Sequence, residues 1–183
     1  QGELVAFMDS DCEAENQWLQ AGLEAFKEER GLVQGCTLPQ DGAPYHVLNR
    51  SMKIEQENYV YEAVNIFYRK ASFQEAGGFI ASDDGHKMVI LGGEDVDLAW
   101  KVKSLGWKSG FADKAIVRHV VDKGTVLQWL VDKRMVVLPK IPKDFPQTRK
   151  YFFAQYFFDD VQAYLLLAIL GVLSSFSFGY WSL

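Results

Sequence analysis

The sequence of 183 residues predicts an α/β domain with a mixed sheet and flanking helices, followed by an amphipathic helix and a transmembrane helix. The apolar run Leu4–Met8 is typical of a strand buried on both faces of a parallel sheet. Helical patterns then alternate with further strand patterns, which is the order that an α/β domain gives. Near the end, residues 161–183 contain no Asp, Glu, Lys, Arg or His. We therefore expect three regions, at residues 1–124, 125–160 and 161–183.

Between the apolar run and residue 76, the sequence predicts a crossover helix, a short strand, a loop and a second helix. The crossover helix has apolar residues at helical spacing, and the loop is rich in turn-forming residues. Residues 59–68 fit a strand or a helix, and the pattern does not decide between them. The predicted segments are the helix around Trp18–Phe26 with its stop at Gly31, the strand Leu32–Leu38, the loop Pro39–Arg50 and the helix Ala71–Ala76.

The second half predicts a helix, two strands and an amphipathic segment. Apolar residues at positions 98, 102 and 105 mark one face of a helix that ends at Gly106. Trp107–Ala112 and Ala115–Val121 have strand patterns. Thr125–Leu138 is amphipathic and predicts a helix that lies on a membrane surface.

The uncharged stretch Val161–Leu183 has the length of a membrane-spanning helix, because the bilayer core is about 30 Å thick. Lys and Arg strongly outnumber acids between residues 133 and 150, which places this flank in the cytoplasm by the positive-inside rule. A buried core helix is the alternative, since several serines and a glycine dilute the apolar stretch. We expect a protein of the inner or plasma membrane whose domain at residues 1–124 faces the cytoplasm.

Two acids, Asp9 and Asp11, directly follow the first apolar strand. Ligands of open α/β sheets bind beyond the carboxyl ends of the strands. Two carboxylates one residue apart share a hard cation such as Mg²⁺ or Mn²⁺, whose other positions are filled by water or substrate phosphates. The alternative is a turn or a solvated acidic surface. The pair predicts a site for a metal and a diphosphate.

A second acidic pair, Glu94 and Asp95, stands at the start of a predicted helix. Two glycines precede it, and they allow the backbone to approach a ligand closely. The alternative is a structural role, because the helix dipole favours acids at this end. His119 lies in a strand pattern, and by itself such a histidine is more often a core or surface residue than a ligand.

Taken together, these motifs resemble the family 2 glycosyltransferases over residues 2–119. The motifs that carry the resemblance are Asp9-Ser10-Asp11-Cys12 after the apolar strand, Ala63-Val64-Asn65-Ile66-Phe67-Tyr68-Arg69, Gly77-Gly78-Phe79, Gly93-Glu94-Asp95-Val96-Asp97-Leu98, Gly106-Trp107 and Val117-Arg118-His119. The resemblance implies the GT-A fold, a nucleotide-sugar-binding α/β domain. It also implies that the strands and helices that bind the base, which precede the first acidic pair in that family, are missing here.

The same resemblance assigns roles to residues. Asp9 and Asp11 would face the ribose and the metal of a nucleotide diphosphate sugar, and His119 would be a further metal ligand. Asp95 would be the catalytic base, with Glu94 as the second candidate. Asn65 would line the acceptor side.

We therefore expect an inverting, metal-dependent glycosyltransferase, inactive as an isolated fragment, that uses Mg²⁺ or Mn²⁺ and a nucleotide diphosphate sugar as donor. The expected acceptor is a lipid-linked or cell-surface glycan, and membrane lipids are expected partners, whereas nucleic acid is not. Two alternatives remain. One is a metal-assisted phosphotransferase or hydrolase that uses Asp9 and Asp11, and the other is a membrane-tethered scaffold without catalytic activity.

Overall fold

The computed structural model describes residues 2–27, 29–43, 49–79, 93–125, 141–157 and 160–179. The chain divides into two compact units, Gln1–Arg134 and Met135–Leu183. The predicted amphipathic helix at Thr125–Leu138 lies almost entirely outside the described residues. The predicted region boundaries at residues 124 and 160 stay predictions.

Seven strands and three α-helices are described in the first unit. The strands are β1 (Leu4–Met8), β2 (Cys12–Ala14), β3 (Arg30–Pro39), β4 (Asn49–Arg50), β5 (Asn65–Arg69), β6 (Lys108–His119) and β7 (Asp122–Lys123), and the helices are α1 (Trp18–Glu24), α2 (Lys70–Glu75) and α3 (Glu94–Ser104). Residues 59–68, which the sequence left open, contribute the start of strand β5. The two strands predicted within residues 107–121 are one strand, β6, whose pairing with β3 has a register shift between Ala112 and Ile116.

The main sheet has five strands in the order β1-β5-β3-β6-β2, and a separate two-stranded sheet pairs β4 with β7. Only β3 and β6 are parallel, whereas the other neighbours in the main sheet are antiparallel. The predicted place of Leu4–Met8 is therefore wrong, because this strand lies at an edge and none of its residues is fully buried. An apolar run predicts a strand well, but it does not tell how many neighbours the strand has.

The sheet curls until it nearly closes like a barrel. Its two edge strands, β1 and β2, are joined by only three residues, and the amide of Cys12 donates a hydrogen bond of 3.1 Å to the carbonyl of Asp9 within that connection. In a flat sheet the edge strands would lie about 19 Å apart, at about 4.8 Å per strand spacing. Four Cα steps cover at most about 15 Å. The short connection therefore requires a curved sheet, and the predicted GT-A-like fold class is corrected to a mixed α/β unit with a nearly closed sheet.

Helices cover both faces of the sheet. On one face, Val33 and Phe67 form a core with Trp18 and Phe26 from the region of α1. On the other face, α2 places Phe73 against Tyr68, with ring centroids 5.8 Å apart. Helix α3 contacts both α2 and β3. Its first turn lies beside the start of β5, where Asp95 accepts a hydrogen bond from the amide of Ala63.

A fully buried amide, Asn65, ties together three strands and α1. Its Nδ2 donates to the carbonyls of Cys36 and Ala115, both at 2.8 Å, and its Oδ1 accepts from the indole of Trp18 at 2.8 Å. A side chain at Gly35 would collide with this amide. The sequence therefore uses a glycine on β3 to admit Asn65 into the core.

The second unit contains the short helix α4 (Ile141–Asp144), a 3-10 helix (Pro146–Tyr151) and the helix α5 (Asp160–Gly179). Within the part of the chain that the structure describes, no helix combines the length and the apolar character that crossing a bilayer requires. This finding corrects the predicted transmembrane helix at residues 161–183 and the predicted membrane location.

We expect Asn65→Ala to lower the free energy of unfolding by about 3 kcal/mol, because it leaves two buried carbonyls without their donor and an indole without its acceptor. Urea denaturation followed by tryptophan fluorescence measures this change. The control is Asn16→Ala, at an exposed position of the same unit, which is expected to change stability by less than about 0.5 kcal/mol. Equal effects of the two substitutions would contradict the central role of Asn65.

Candidate metal and carboxylate site

The first acidic pair lies in the tight connection between the two edge strands. Asp9 follows β1, and its backbone amide donates to the carbonyl of Val64 at 3.4 Å. Asp11 immediately precedes β2, and its carbonyl accepts from the amide of Val120 at 3.1 Å. Both acids are therefore held by the backbone at the end of the sheet where β1 stops and β5 and β2 begin.

The pairing of β2 with β6 brings a third predicted residue to this place. Cys12 stands directly opposite His119 in the antiparallel register. His119 Nε2 lies 3.5 Å from Asp11 Oδ2. One ligand atom each from Asp11, Cys12 and His119 lies within 4.8 Å of the other two. The structure thus joins the predicted ligands Asp11 and His119, and it adds the thiol of Cys12.

A hydrogen bond of His119 indicates which of its two ring nitrogens carries the proton in the neutral ring. Its Nδ1 lies 2.6 Å from the carbonyl oxygen of Val120. A carbonyl only accepts hydrogen bonds, so Nδ1 carries the ring proton and donates it. In the neutral ring Nε2 then presents a lone pair to the Asp11 carboxylate. Two acceptors that face each other need a proton or a cation between them.

The electrostatics of the connection also favour positive charge. Burial raises the pKa of Asp9 above its usual value, the negative charge of Asp11 raises it further, and His119 lowers it. Burial raises the pKa of the Cys12 thiol to about 11, with further contributions from Asp11 and Asp9. The thiol is therefore protonated at neutral pH in the absence of a cation. Asp9 is electrostatically coupled to the group of Asp11, Cys12 and His119 without being one of its three members.

The second acidic pair begins helix α3. Gly93 precedes it with φ 94°, a backbone conformation that glycine adopts without steric cost. The two carboxylate oxygens of Asp95 accept hydrogen bonds from the amides of Val96 at 2.8 Å and Ala63 at 3.2 Å. Glu94 is exposed. Asp95 is thus fixed by the backbone, whereas Glu94 faces solvent.

Asp95 has the most strongly shifted carboxyl group of this site. The pKa of Asp95 is raised to about 6: burial is the largest cause, the amide donors at Val96 and Ala63 oppose it, and the carboxylates of Glu94 and Glu62 raise the pKa as well. A carboxyl group with a pKa near 6 changes its charge close to neutral pH. Such tuning is common in general acids and bases.

Asp9 and Asp95 meet at the same short stretch of backbone. The carbonyl of Val64 accepts from the amide of Asp9, and the amide of Ala63 donates to the carboxylate of Asp95. These two residues immediately precede β5. The acceptor-side candidate Asn65 is the first residue of β5, and it is fully buried with its amide engaged in the core. Its predicted contact with an acceptor stays a prediction.

A polar cleft of about 630 Å³ lies elsewhere on this unit. Arg118 lines it and forms ion pairs with Glu15 at 2.9 Å and Asp41 at 2.8 Å. Because side chains alternate along a strand, Arg118 and its neighbour His119 point to opposite faces of the sheet. None of the predicted site residues lines this cleft.

Cys12 is the site residue that sequence reasoning missed. The sequence shows only that it follows Asp11, and a lone cysteine carries little information. The signal that identifies it is its register opposite His119, which depends on pairing between distant segments of the chain.

No protein-family model matches this chain, and no curated protein matches it.

We expect Glu94→Gln to lower the pKa of Asp95, because it removes a nearby negative charge that opposes ionisation. A pH titration followed by carboxyl-carbon NMR measures the midpoint. Asp97→Asn is the matched control: Asp97 lies on the same helix turn but is paired with Lys101 at 2.5 Å, and it is not among the groups that shift Asp95. An unchanged midpoint in Glu94→Gln would contradict the electrostatic origin of the shift.

Proposed function

We propose that this chain carries the cation-binding and general-base residues of an inverting, metal-dependent glycosyltransferase. The donor is a nucleotide diphosphate sugar, and the acceptor is a hydroxyl group of a glycan. The observation that carries the proposal is the approach of His119 Nε2 to within 3.5 Å of the Asp11 carboxylate, with His119 Nδ1 bound to the carbonyl of Val120. Further support comes from Asp95, whose carboxylate is bound by the amide of Ala63, the residue before the carbonyl that binds the amide of Asp9.

The residues at the β1–β2 connection fit a divalent cation. Asp11 Oδ2 and His119 Nε2 lie 3.5 Å apart and offer an oxygen and a nitrogen ligand, and Asp9 adds negative charge beside them. Mg²⁺ or Mn²⁺ bound there would neutralise charge on a leaving diphosphate. Asp9 and Asp11 hold this position through backbone hydrogen bonds of the connection.

Asp95 is the candidate general base. An acceptor hydroxyl must lose its proton as it attacks the anomeric carbon, and a carboxylate within hydrogen-bond reach accepts that proton. Two backbone amides hold Asp95 at the beginning of α3. Since its pKa is about 6, the group is mostly ionised at neutral pH and is still basic enough to accept a proton. Direct attack of this kind inverts the configuration at the anomeric carbon.

We expect the chain to bind Mn²⁺, and Asp11→Asn and His119→Gln each to weaken this binding at least about tenfold, because each substitution removes a ligand. Electron paramagnetic resonance of free Mn²⁺ measures the affinity. Asp113→Asn, an exposed acid on strand β6, is the control and leaves the affinity unchanged. Equal affinities of all four proteins would contradict the proposed cation site.

The enzymatic part is tested with nucleotide diphosphate sugars and Mn²⁺ on this chain joined to a base-binding segment of the kind that the family resemblance implies. We expect release of a nucleoside diphosphate at a rate that falls as the pH decreases through about 6, because protonation inactivates Asp95. Asp95→Asn is expected to lower this rate by about 100-fold or more and to leave Mn²⁺ affinity unchanged. Release of inorganic phosphate instead would indicate the phosphotransferase or hydrolase alternative. A full rate in Asp95→Asn would contradict the assigned base.

A further inference from the structure

The thiol of Cys12 has no role in the proposed transfer reaction, although it belongs to the same group of ligand atoms. We propose that Asp11, Cys12 and His119 form a three-ligand centre that binds Zn²⁺ more tightly than Mg²⁺ or Mn²⁺. Zinc binding itself does not depend on the proposed function. Inhibition of sugar transfer by zinc, through displacement of the working cation, rests on it.

The distances favour a tetrahedral ion. With Zn–N and Zn–O bonds of about 2.0 to 2.2 Å, the nitrogen and oxygen ligands of a tetrahedral site lie about 3.4 Å apart. Adjacent ligands of an octahedral Mg²⁺ site lie only about 2.9 Å apart, because its bonds are about 2.0 to 2.1 Å at right angles. The observed separation of His119 Nε2 and Asp11 Oδ2 is 3.5 Å. The distance between these two atoms is therefore closer to the ligand spacing of a tetrahedral zinc site than to that of an octahedral magnesium site.

The third ligand is also within reach. In a tetrahedral zinc site a sulfur ligand lies about 3.6 Å from its nitrogen and oxygen neighbours. The ligand atoms of Asp11, Cys12 and His119 already lie within 4.8 Å of one another. A side-chain movement of about 1 Å therefore completes three corners of the tetrahedron, and water fills the fourth.

Ligand chemistry points the same way. A thiolate and an imidazole select Zn²⁺ over Mg²⁺ and Mn²⁺, which prefer oxygen ligands. As the zinc–sulfur bond forms, the Cys12 thiol loses its proton to solvent. Cys12 is only partly buried and Asp11 is exposed, so an ion from solution has access to both.

The surrounding backbone prepares the centre. The carbonyl of Val120 accepts from His119 Nδ1 and thereby fixes the ring tautomer that leaves Nε2 free for a metal. The amide of the same residue donates to the carbonyl of Asp11. The register of β2 and β6 holds Cys12 opposite His119. All three ligands are thus positioned by the pairing of one short strand.

The test is a titration of the full chain with Co²⁺, a coloured substitute for Zn²⁺. We expect a near-ultraviolet sulfur-to-cobalt charge-transfer band, which Zn²⁺ abolishes by displacing Co²⁺. Cys12→Ser removes the band and weakens Zn²⁺ binding at least about tenfold. Cys36→Ala is the matched control, because Cys36 is the other free cysteine and is buried, and this variant retains both the band and the affinity.

Two results would overturn the proposal: Co²⁺ binding without the charge-transfer band, or a band that persists in Cys12→Ser. If Mn²⁺ binding still requires Asp11 and His119 in that case, the proposed function stands and the zinc centre fails. If the band appears and depends on Cys12, while Mn²⁺ and nucleoside diphosphate do not bind, the zinc centre stands and the proposed function fails. Inhibition of nucleoside diphosphate release by Zn²⁺ in the chain joined to a base-binding segment, relieved in Cys12→Ser, supports both.

Discussion

The three-residue connection between β1 and β2 is the constraint on which the rest of the structure depends. It joins the two edges of a five-stranded sheet, so the sheet must curve. The same connection carries Asp9 and Asp11, and its curvature places Cys12 beside β6 and therefore opposite His119. The geometry that nearly closes the sheet also brings the candidate cation ligands together.

Local patterns predicted the strands and helices of the first unit well, but they did not predict how the strands pair. Helix α1, strand β3 and helices α2 and α3 lie close to their predicted positions, because apolar spacing and glycine stops act over a few residues. The predicted position of Leu4–Met8 inside the sheet was wrong, because an apolar run is compatible with an edge strand as well as with a central one. The register shift near Ala112 was mistaken for a break between two strands.

In the candidate site, too, the sequence predicted individual residues but not the contacts that depend on strand pairing. Asp11 and His119 were chosen from their residue types and from a resemblance, and the structure places them in contact. Cys12 was overlooked because its partnership with His119 exists only in the folded sheet. The environment of Asp95 was equally hidden, since its pKa depends on burial and on the amide of Ala63, which lies more than thirty positions earlier in the chain. A sequence identifies which side chains can bind a metal or accept a proton, and the strand register determines which of them lie close together in the fold.

The long-range pairing of β6 has a consequence for the order of folding. β6 pairs in parallel with β3 and antiparallel with β2, both of which come from the first forty residues. Contacts between segments so distant in the chain close large loops and form slowly. Cys12 and His119 become neighbours only when this step is complete. A metal ion that required both residues would therefore stabilise only the states in which β2 and β6 are paired.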